Sequence, residues 1–295
     1  MRVTNQTMIR RTLMHLEANA ERLMAFQEQI ATGKRVNRPS DDPSVAAQVM
    51  NYRSTLELQD QHMESIDAAL RRLEATELAY GTMTDILQRA RELAVRAGSG
   101  LLSQDQMQAT AAEVEQLLTQ AIQVGNTSVG GVYIFGGHQT TAPPFTAVGS
   151  PPTAVTYNGD AGLVDMEIAP GLTITANVPG SQGLPAAFTA LISLRDNLNA
   201  GNAAAVSSTD VPQLGTALEG VLELRGLVGA RMNRLERDRE NLESTQLAIR
   251  GLLSKAEEAD LADVVVRLTA QQNVYEASLK ASARVVQSTL LDFLR

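Results

Sequence analysis

The sequence predicts a mainly α-helical chain with paired N- and C-terminal helices, a long helical bundle continuing from them, and a small β-rich insert at the far end. Three observations predict it. Apolar residues recur at alternating steps of four and three near both termini, and the same ladder runs through two longer stretches between them. Eight of the ten prolines lie between Pro143 and Pro212, and twelve of the 21 glycines between Gly125 and Gly201. A 4-3 ladder draws a narrow stripe along a helix, the seam of a coiled coil, whereas Pro and Gly punctuate turns.

The first helix carries its stripe on Ile9, Leu13, Leu16, Ala20, Leu23, Gln27 and Ile30, and Gly33 is placed to end it in the left-handed conformation. A polar loop follows through Arg38, Pro39, Ser40, Asp41, Asp42 and Pro43. Asp42 reads as an N-cap with Pro43 at the first helical position, where a missing N–H costs nothing. The next helix runs from Ser44 to about Ala97, with Val45, Val49, Tyr52, Leu56, Met63, Ile66, Leu70, Leu73, Tyr80, Met83, Leu87 and Ala90 on its track. Gly98-Ser99-Gly100 ends it. Ser103 and Gln106 form a capping box for a third helix that faces inward through Met107, Ala111, Val114, Leu118 and Ala121.

Past Gly125 short alternating segments appear at 132–135, 155–157, 163–168 and 172–178, separated by Asn158-Gly159-Asp160, Pro170-Gly171 and Pro179-Gly180. That is the pattern of short strands and tight turns. Residues 186–199 return to a short helix. After Asp210 the long ladder resumes through Leu214, Leu218, Val221, Val228, Met232, Leu235, Leu242, Ile249, Leu253 and Ala256, with Arg225, Arg239 and Gln246 in its gaps. Leu261 comes five residues after Ala256, a slip that marks a joint. The closing helix then carries Leu261, Val265, Leu268, Tyr275, Leu279, Val286, Leu290 and Phe293, with Gln272 and Ser282 completing the stripe.

A helix of that length spans about 55 Å and needs a partner of similar length, which the first helix supplies. Residues 1–40 hold seven Arg or Lys against three Glu, and residues 257–295 six acids against four bases. This opposite lean biases which helix meets which. Three domains are expected: residues 1–40 with 257–295 as a terminal coiled coil, 41–145 with 211–256 as a rod, and 146–210 as the β-rich insert.

Composition excludes several function classes. Net charge is −8 from 25 bases and 33 acids, which argues against a general nucleic-acid surface. There is no Cys, so thiolate chemistry and disulfides are out. No apolar run reaches about 18 residues, so no membrane span is expected. Arg2, Arg10 and Arg11 precede no continuous apolar stretch, so a cleaved secretory signal is not expected either. His15, His62 and His138 lie far apart and lack a second ligand at metal spacing. Gly130-Gly131 and Gly136-Gly137 flank a strand with no Lys-Ser/Thr behind them, which speaks for turns and against a phosphate loop. Asp41-Asp42 and Glu257-Glu258 sit at helix joints, where capping accounts for them. No catalytic constellation and no cofactor site is expected, and the chain reads as an assembly protein.

Ala31-Thr32-Gly33-Lys34-Arg35-Val36-Asn37 through Pro43 resembles the motif behind the first helix of bacterial flagellins and their relatives. Leu261-Ala262-Asp263 and the stretch from Leu290 to Arg295 resemble that superfamily's closing helix, and Gly229 to Leu235 its returning long helix. Within the superfamily, Arg38-Pro39-Ser40-Asp41-Asp42-Pro43, Tyr157-Asn158-Gly159-Asp160, the Phe135-Gly136-Gly137…Pro144-Phe145 segment and Ser288-Thr289-Leu290-Leu291-Asp292-Phe293-Leu294 are similar to the hook–filament junction family.

The resemblance implies a flagellin-like fold with the terminal coiled coil inside and the insert outside. It also implies a structural adaptor exported unfolded by the flagellar type III apparatus and located on the extracellular flagellum. The implied partners are hook-associated protein 1 on the hook side, flagellin on the filament side, neighbouring copies in one layer and an export chaperone. Assembly is expected to run through Ile9, Leu13, Leu16, Leu23, Ile30, Leu261, Val265, Leu268, Leu279, Val286, Leu290 and Phe293. Flagellin itself, the self-polymerising subunit, is the alternative that shares the architecture. An enzyme or sensor on the insert is a third reading, against which residues 127–212 hold five acids and a single Arg.

Overall fold

The computed structural model describes residues 2–293, with the side chains of residues 7–283. Seven helices are ordered around three strand pairs. Helix α1 spans Arg2–Thr32, α2 Pro43–Gly98 and α3 Gln104–Gly125. Strands β1 (Ser128–Val129), β2 (Val132–Tyr133), β3 (Phe145–Val148), β4 (Ala154–Tyr157), β5 (Asp165–Ala169) and β6 (Leu172–Thr175) follow. Then come α4 (Leu184–Asn199), the short α5 (Ala203–Ala205), a π-helical turn at Val206–Asp210, α6 (Val211–Glu257) and α7 (Leu261–Phe293). No described helix is long and apolar enough to cross a membrane.

The local signals act as their chemistry dictates. Asp42 Oδ1 accepts from the Ser44 and Val45 amides, both at 3.1 Å, and caps α2. Ser103 Oγ accepts from the Gln106 amide while Gln106 Oε1 accepts from the Ser103 amide, so both halves of the capping box are present. Gly33 has φ +70°, as a left-handed helix stop requires. The slip after Ala256 is the break between α6 and α7.

The chain divides into two compact units, residues 1–58 with 244–295, and residues 59–243. The second unit holds one continuous apolar core. Within it α2 contributes Ile66, Leu70, Leu73, Tyr80, Met83 and Leu87, and α3 contributes Met107, Ala111, Val114, Leu118 and Ala121. Leu191 and Leu194 of α4 and Leu214, Leu218, Val221, Val228 and Leu235 of α6 close it. The ladder's polar gaps are bridged: Arg225 Nε reaches Glu77 Oε1 at 2.7 Å, and Arg239 faces Asp67 at 3.8 Å.

The strands form three separate two-stranded antiparallel sheets rather than one larger sheet. Pro170-Gly171 turns β5 into β6, and the register shifts between Glu167 and Ala169. Phe145, which opens β3, explains how a hairpin this small is held. Its ring lies 5.0 Å from that of Phe188 on α4 and 5.1 Å from that of Tyr157 on β4. The last residue of α3, Gly125, leaves room for it, since a Cβ there would stand 2.8 Å from the ring. Arg195, buried on α4, donates to the Pro152 carbonyl in the loop between β3 and β4 at 2.6 Å. Phe145, Ile168 and Ile174 all belong to the helical core.

Candidate assembly surface

In the first unit, α1 and α7 run antiparallel. Lys34 bridges to Glu258 at the near end, and Asn19 meets Gln271 further along. On α1 the partly buried residues include Ile9, Thr12, Leu16, Asn19, Leu23, Phe26 and Ile30, a 3-4 heptad seam. On α7 they are Leu268, Gln271, Tyr275, Ser278 and Ser282, with Val264 buried outright. In heptad letters, Ile9, Leu16, Leu23 and Ile30 are a positions and Thr12, Asn19 and Phe26 are d positions. Leu268, Tyr275 and Ser282 are a, and Val264, Gln271 and Ser278 are d.

The sequence stripe follows the a positions and departs at every alternate rung. Leu13 is 54% exposed, Val265 49% and Leu279 42%, because each follows a d position and stands at e. Leu261, at the first turn of α7, is 50% exposed. Ile9, Leu16, Leu23, Ile30 and Leu268 lie half-buried in the pair. Val286, Leu290 and Phe293 lie outside the residues whose side chains are described. Periodicity alone missed Thr12, Asn19, Phe26, Val264, Gln271 and Ser278. Only the aromatic ring of Phe26 and the apolar Val264 offered a signal, since the other four are polar.

The e positions share one side of the pair. Seen down a helix, e lies to one side of the a/d seam and g to the other, and reversing the partner brings e beside e. Leu13 and Ala20 of α1 therefore stand on the same flank as Val265 and Leu279 of α7. Of these, Leu13, Val265 and Leu279 leave apolar side chains exposed.

At the joint the chain is tied by backbone and charge. The Ala259 amide donates to the Gly33 carbonyl at 2.9 Å, and the Arg35 amide to the Glu257 carbonyl at 2.7 Å. The largely buried Glu257 carboxylate accepts from both Lys34 and Arg53 at 2.5 Å. Burial raises its pKa, but the hydrogen bonds and charges of Arg53 and Lys34 outweigh that and hold it below its ordinary value. The motif loop is wrapped around this joint. Asp41 Oδ2 accepts from the Asn37 and Arg38 amides at 3.1 and 2.9 Å, and Arg38 reaches Glu28 at 3.4 Å. Pro39 lines a cleft of about 320 Å³ with Val36, Val49 and Arg53, while Ser40 is exposed and Pro43 opens α2. Among the described residues no group of His, Asp and Glu is placed to hold a metal.

The paired terminal helices of the first unit and the helical core with three small hairpins of the second define a helical-bundle class of protein. The family pattern for the bacterial flagellin N-terminal helical region matches residues 3–140, and that for the C-terminal helical region matches 211–294. Flagellar hook-associated protein 3 of Salmonella typhimurium is 29% identical over 62% of this chain and 56% of its own length. The Escherichia coli protein of that name is 26% identical over 95% of this chain and 96% of its own. Flagellin of Listeria innocua is 26% identical over 98% of this chain and 96% of that one. The crystal structure of Bacillus cereus FlgL superposes with a TM-score of 0.62 at 25% identity, covering 69% of this chain and 99% of that one. The chain belongs to the bacterial flagellin family and, within it, to the hook-associated, FlgL type.

Proposed function

We propose that this chain is the structural adaptor that joins the hook side of the bacterial flagellum to the flagellin filament. The observation that carries the reading is the apolar flank of the terminal pair, where Leu13, Val265 and Leu279 stand exposed beside a seam that buries little by itself. Such a pair gains its remaining packing from neighbours. Its neighbours would be hook-associated protein 1, flagellin and further copies of this chain in one layer. An export chaperone would hold the terminal helices during type III export to the cell exterior. The terminal pair would form the inner domain, the long helices the rod and the hairpins the outer domain. No catalytic role belongs to this reading.

Flagellin itself is the second reading, favoured by the Listeria match over nearly the whole of both chains. Purified chain mixed with sheared filament seeds under burial-favouring salt separates the two by electron microscopy. Binding at hook ends without elongation is the expected result. Long filaments of this chain alone would overturn the adaptor reading in favour of flagellin.

A further inference from the structure

Asn126, Asn158 and Asn177 all stand beside the hairpins, and one of them is held differently. Asn126 Nδ2 donates to the Phe145 carbonyl at 2.8 Å, and its Oδ1 accepts from the Phe145 amide at 2.9 Å. Asn177 is fully buried, donates to the Gly162 carbonyl at 2.9 Å and accepts from the Val164 amide at 2.8 Å. Both carboxamides are tied at both ends. Asn158, which follows β4, is exposed and tied at one end only, through Nδ2 to Thr146 Oγ1 at 2.8 Å. The residues that come next differ as well. Thr127 and Val178 are β-branched and crowd the amide that follows each clamped asparagine, whereas Asn158 is the only asparagine in the chain that precedes a glycine.

Packing requires that glycine. A Cβ at Gly159 would stand 2.5 Å from Tyr157 Oη and 2.9 Å from the Gly136 carbonyl oxygen, so no larger residue fits. The Gly159 N–H donates to no backbone carbonyl among the described residues. The fold thus sets an exposed carboxamide beside an unshielded, unbonded backbone nitrogen, the pair of groups that intramolecular cyclisation needs.

We propose that Asn158 is a deamidation site of the folded chain, with the Gly159 nitrogen as the attacking group and water as co-reactant. Hydroxide takes the Gly159 N–H proton, and the nitrogen forms a bond to Asn158 Cγ. The Cγ–Nδ2 bond breaks and ammonia leaves, which closes a succinimide. Water then opens the ring on either side. Cleavage between the nitrogen and Cγ leaves an aspartate. Cleavage between the nitrogen and the main-chain carbonyl carbon leaves an isoaspartate, whose backbone runs through Cβ. Nothing is oxidised or reduced.

The two products act differently here. Each replaces the amide by a carboxylate and removes the donor to Thr146 Oγ1. Isoaspartate also adds one backbone atom between Tyr157 and Asp160. Asp160 is anchored just beyond that step: its Oδ1 accepts from the His138 amide at 2.7 Å and the Gly162 amide at 2.9 Å, and its carbonyl accepts from Tyr157 Oη at 2.8 Å. The added atom shifts Tyr157 against Asp160, so this set cannot keep all its members. The inference is independent of the flagellar assignment.

The test uses the full chain, incubated folded at pH 6 and at pH 8. Pepsin digestion in acid, which stops further cyclisation, is followed by mass spectrometry, and isoaspartyl methyltransferase with labelled S-adenosylmethionine counts the isoaspartate. Loss of the amide at Asn158 should be faster at pH 8, as deprotonation of the Gly159 nitrogen requires, and should yield isoaspartate. Asn126 and Asn177 should keep their amides. Asn158→Gln, whose ring would need one more atom, should remove the signal. The isoaspartate form should exchange the His138 and Gly162 amides faster than the unaltered chain, whereas Asn158→Asp, which adds the charge without the backbone atom, should not. An Asn158 amide that survives in the folded chain but is lost in urea would overturn the proposal, since the turn would then hold the two groups apart. Loss at Asn126 or Asn177 as fast as at Asn158 would overturn it too, because the difference in bonding would then decide nothing.

Discussion

Between Ile66 and Ala90, α2 lays Ile66, Leu70, Leu73, Tyr80, Met83, Leu87 and Ala90 into a core where each is at most 5% exposed. Between Ile9 and Ile30, α1 uses the same spacing, and none of its described residues is fully buried. The difference lies in what surrounds the stripe. In the second unit α3, α4, α6 and the hairpins contribute to the same core as α2, so its ladder residues are buried among several elements. In the first unit α1 meets one antiparallel helix, which leaves Leu13, Val265 and Leu279 at e exposed. A heptad pattern therefore specifies a direction of burial, and the number of partners decides its depth.

The sharpest way to break this comparison is a charge on each surface. Leu279→Asp places a carboxylate on the exposed flank, where it is solvated at no packing cost. Incorporation into flagella should be lost while urea unfolding of the second unit is unchanged. Motility at the level of the unaltered chain would show that the flank carries no contact. Leu118→Ala probes the opposite surface, since Leu118 is fully buried on α3. Truncation there should cost about 2–5 kcal/mol in urea unfolding, the range for leucines whose cavity cannot collapse. A cost below about 1 kcal/mol would mean that the core around α3 is loosely packed.

A smaller effect tests how the hairpins are joined to that core. Gly125→Ala would set a methyl group 2.8 Å from the Phe145 ring, closer than Cβ atoms normally stand. Overpacking of this kind should cost about 1–3 kcal/mol by urea unfolding and should shift the Phe145 ring resonances. Smaller again, Ser103→Ala removes one half of the capping box at α3 and should cost about 1 kcal/mol.

The helices were legible because each rests on local chemistry: Asp42 and Pro43 start α2, Ser103 and Gln106 start α3, and Gly33 stops α1. The tracks on α2 and α6 were legible because they are apolar and buried together. The terminal seam was legible only at its a positions. Hydrophobicity favoured Leu13, Val265 and Leu279 over Asn19, Gln271 and Ser278, yet the polar residues face inward because each finds its partner on the other helix. Such pairing depends on residues about 250 positions apart, which no local window contains. Strands β2, β4, β5 and β6 fall in segments that were legible as strands, whereas β1 and β3 were not, and the division into three sheets depends on contacts such as Phe145 with Phe188, which sequence spacing does not encode. Both partners of Glu257, which the sequence reads as a capping residue, were hidden for the same reason, since Lys34 and Arg53 lie far from it along the chain.

That carboxylate supplies the gentlest test of the comparison, because it acts on the tie of the thin unit and leaves the deep core alone. Glu257 is held below its ordinary pKa in the folded chain by Lys34 and Arg53. A group with a depressed folded value contributes stability that is fully present above its unfolded value, about 4.3 for a glutamate, and fades as pH falls through the folded value. Hydrogen exchange at the Arg35 and Ala259 amides, which close the joint, should be slow at pH 6 and accelerate relative to the α3 amides as the pH drops below about 4. Glu257→Gln should remove this pH dependence and leave exchange at the joint fast at both pH values. Equal protection in the unaltered chain and the variant at pH 6 would show that the backbone bonds hold the joint without the carboxylate.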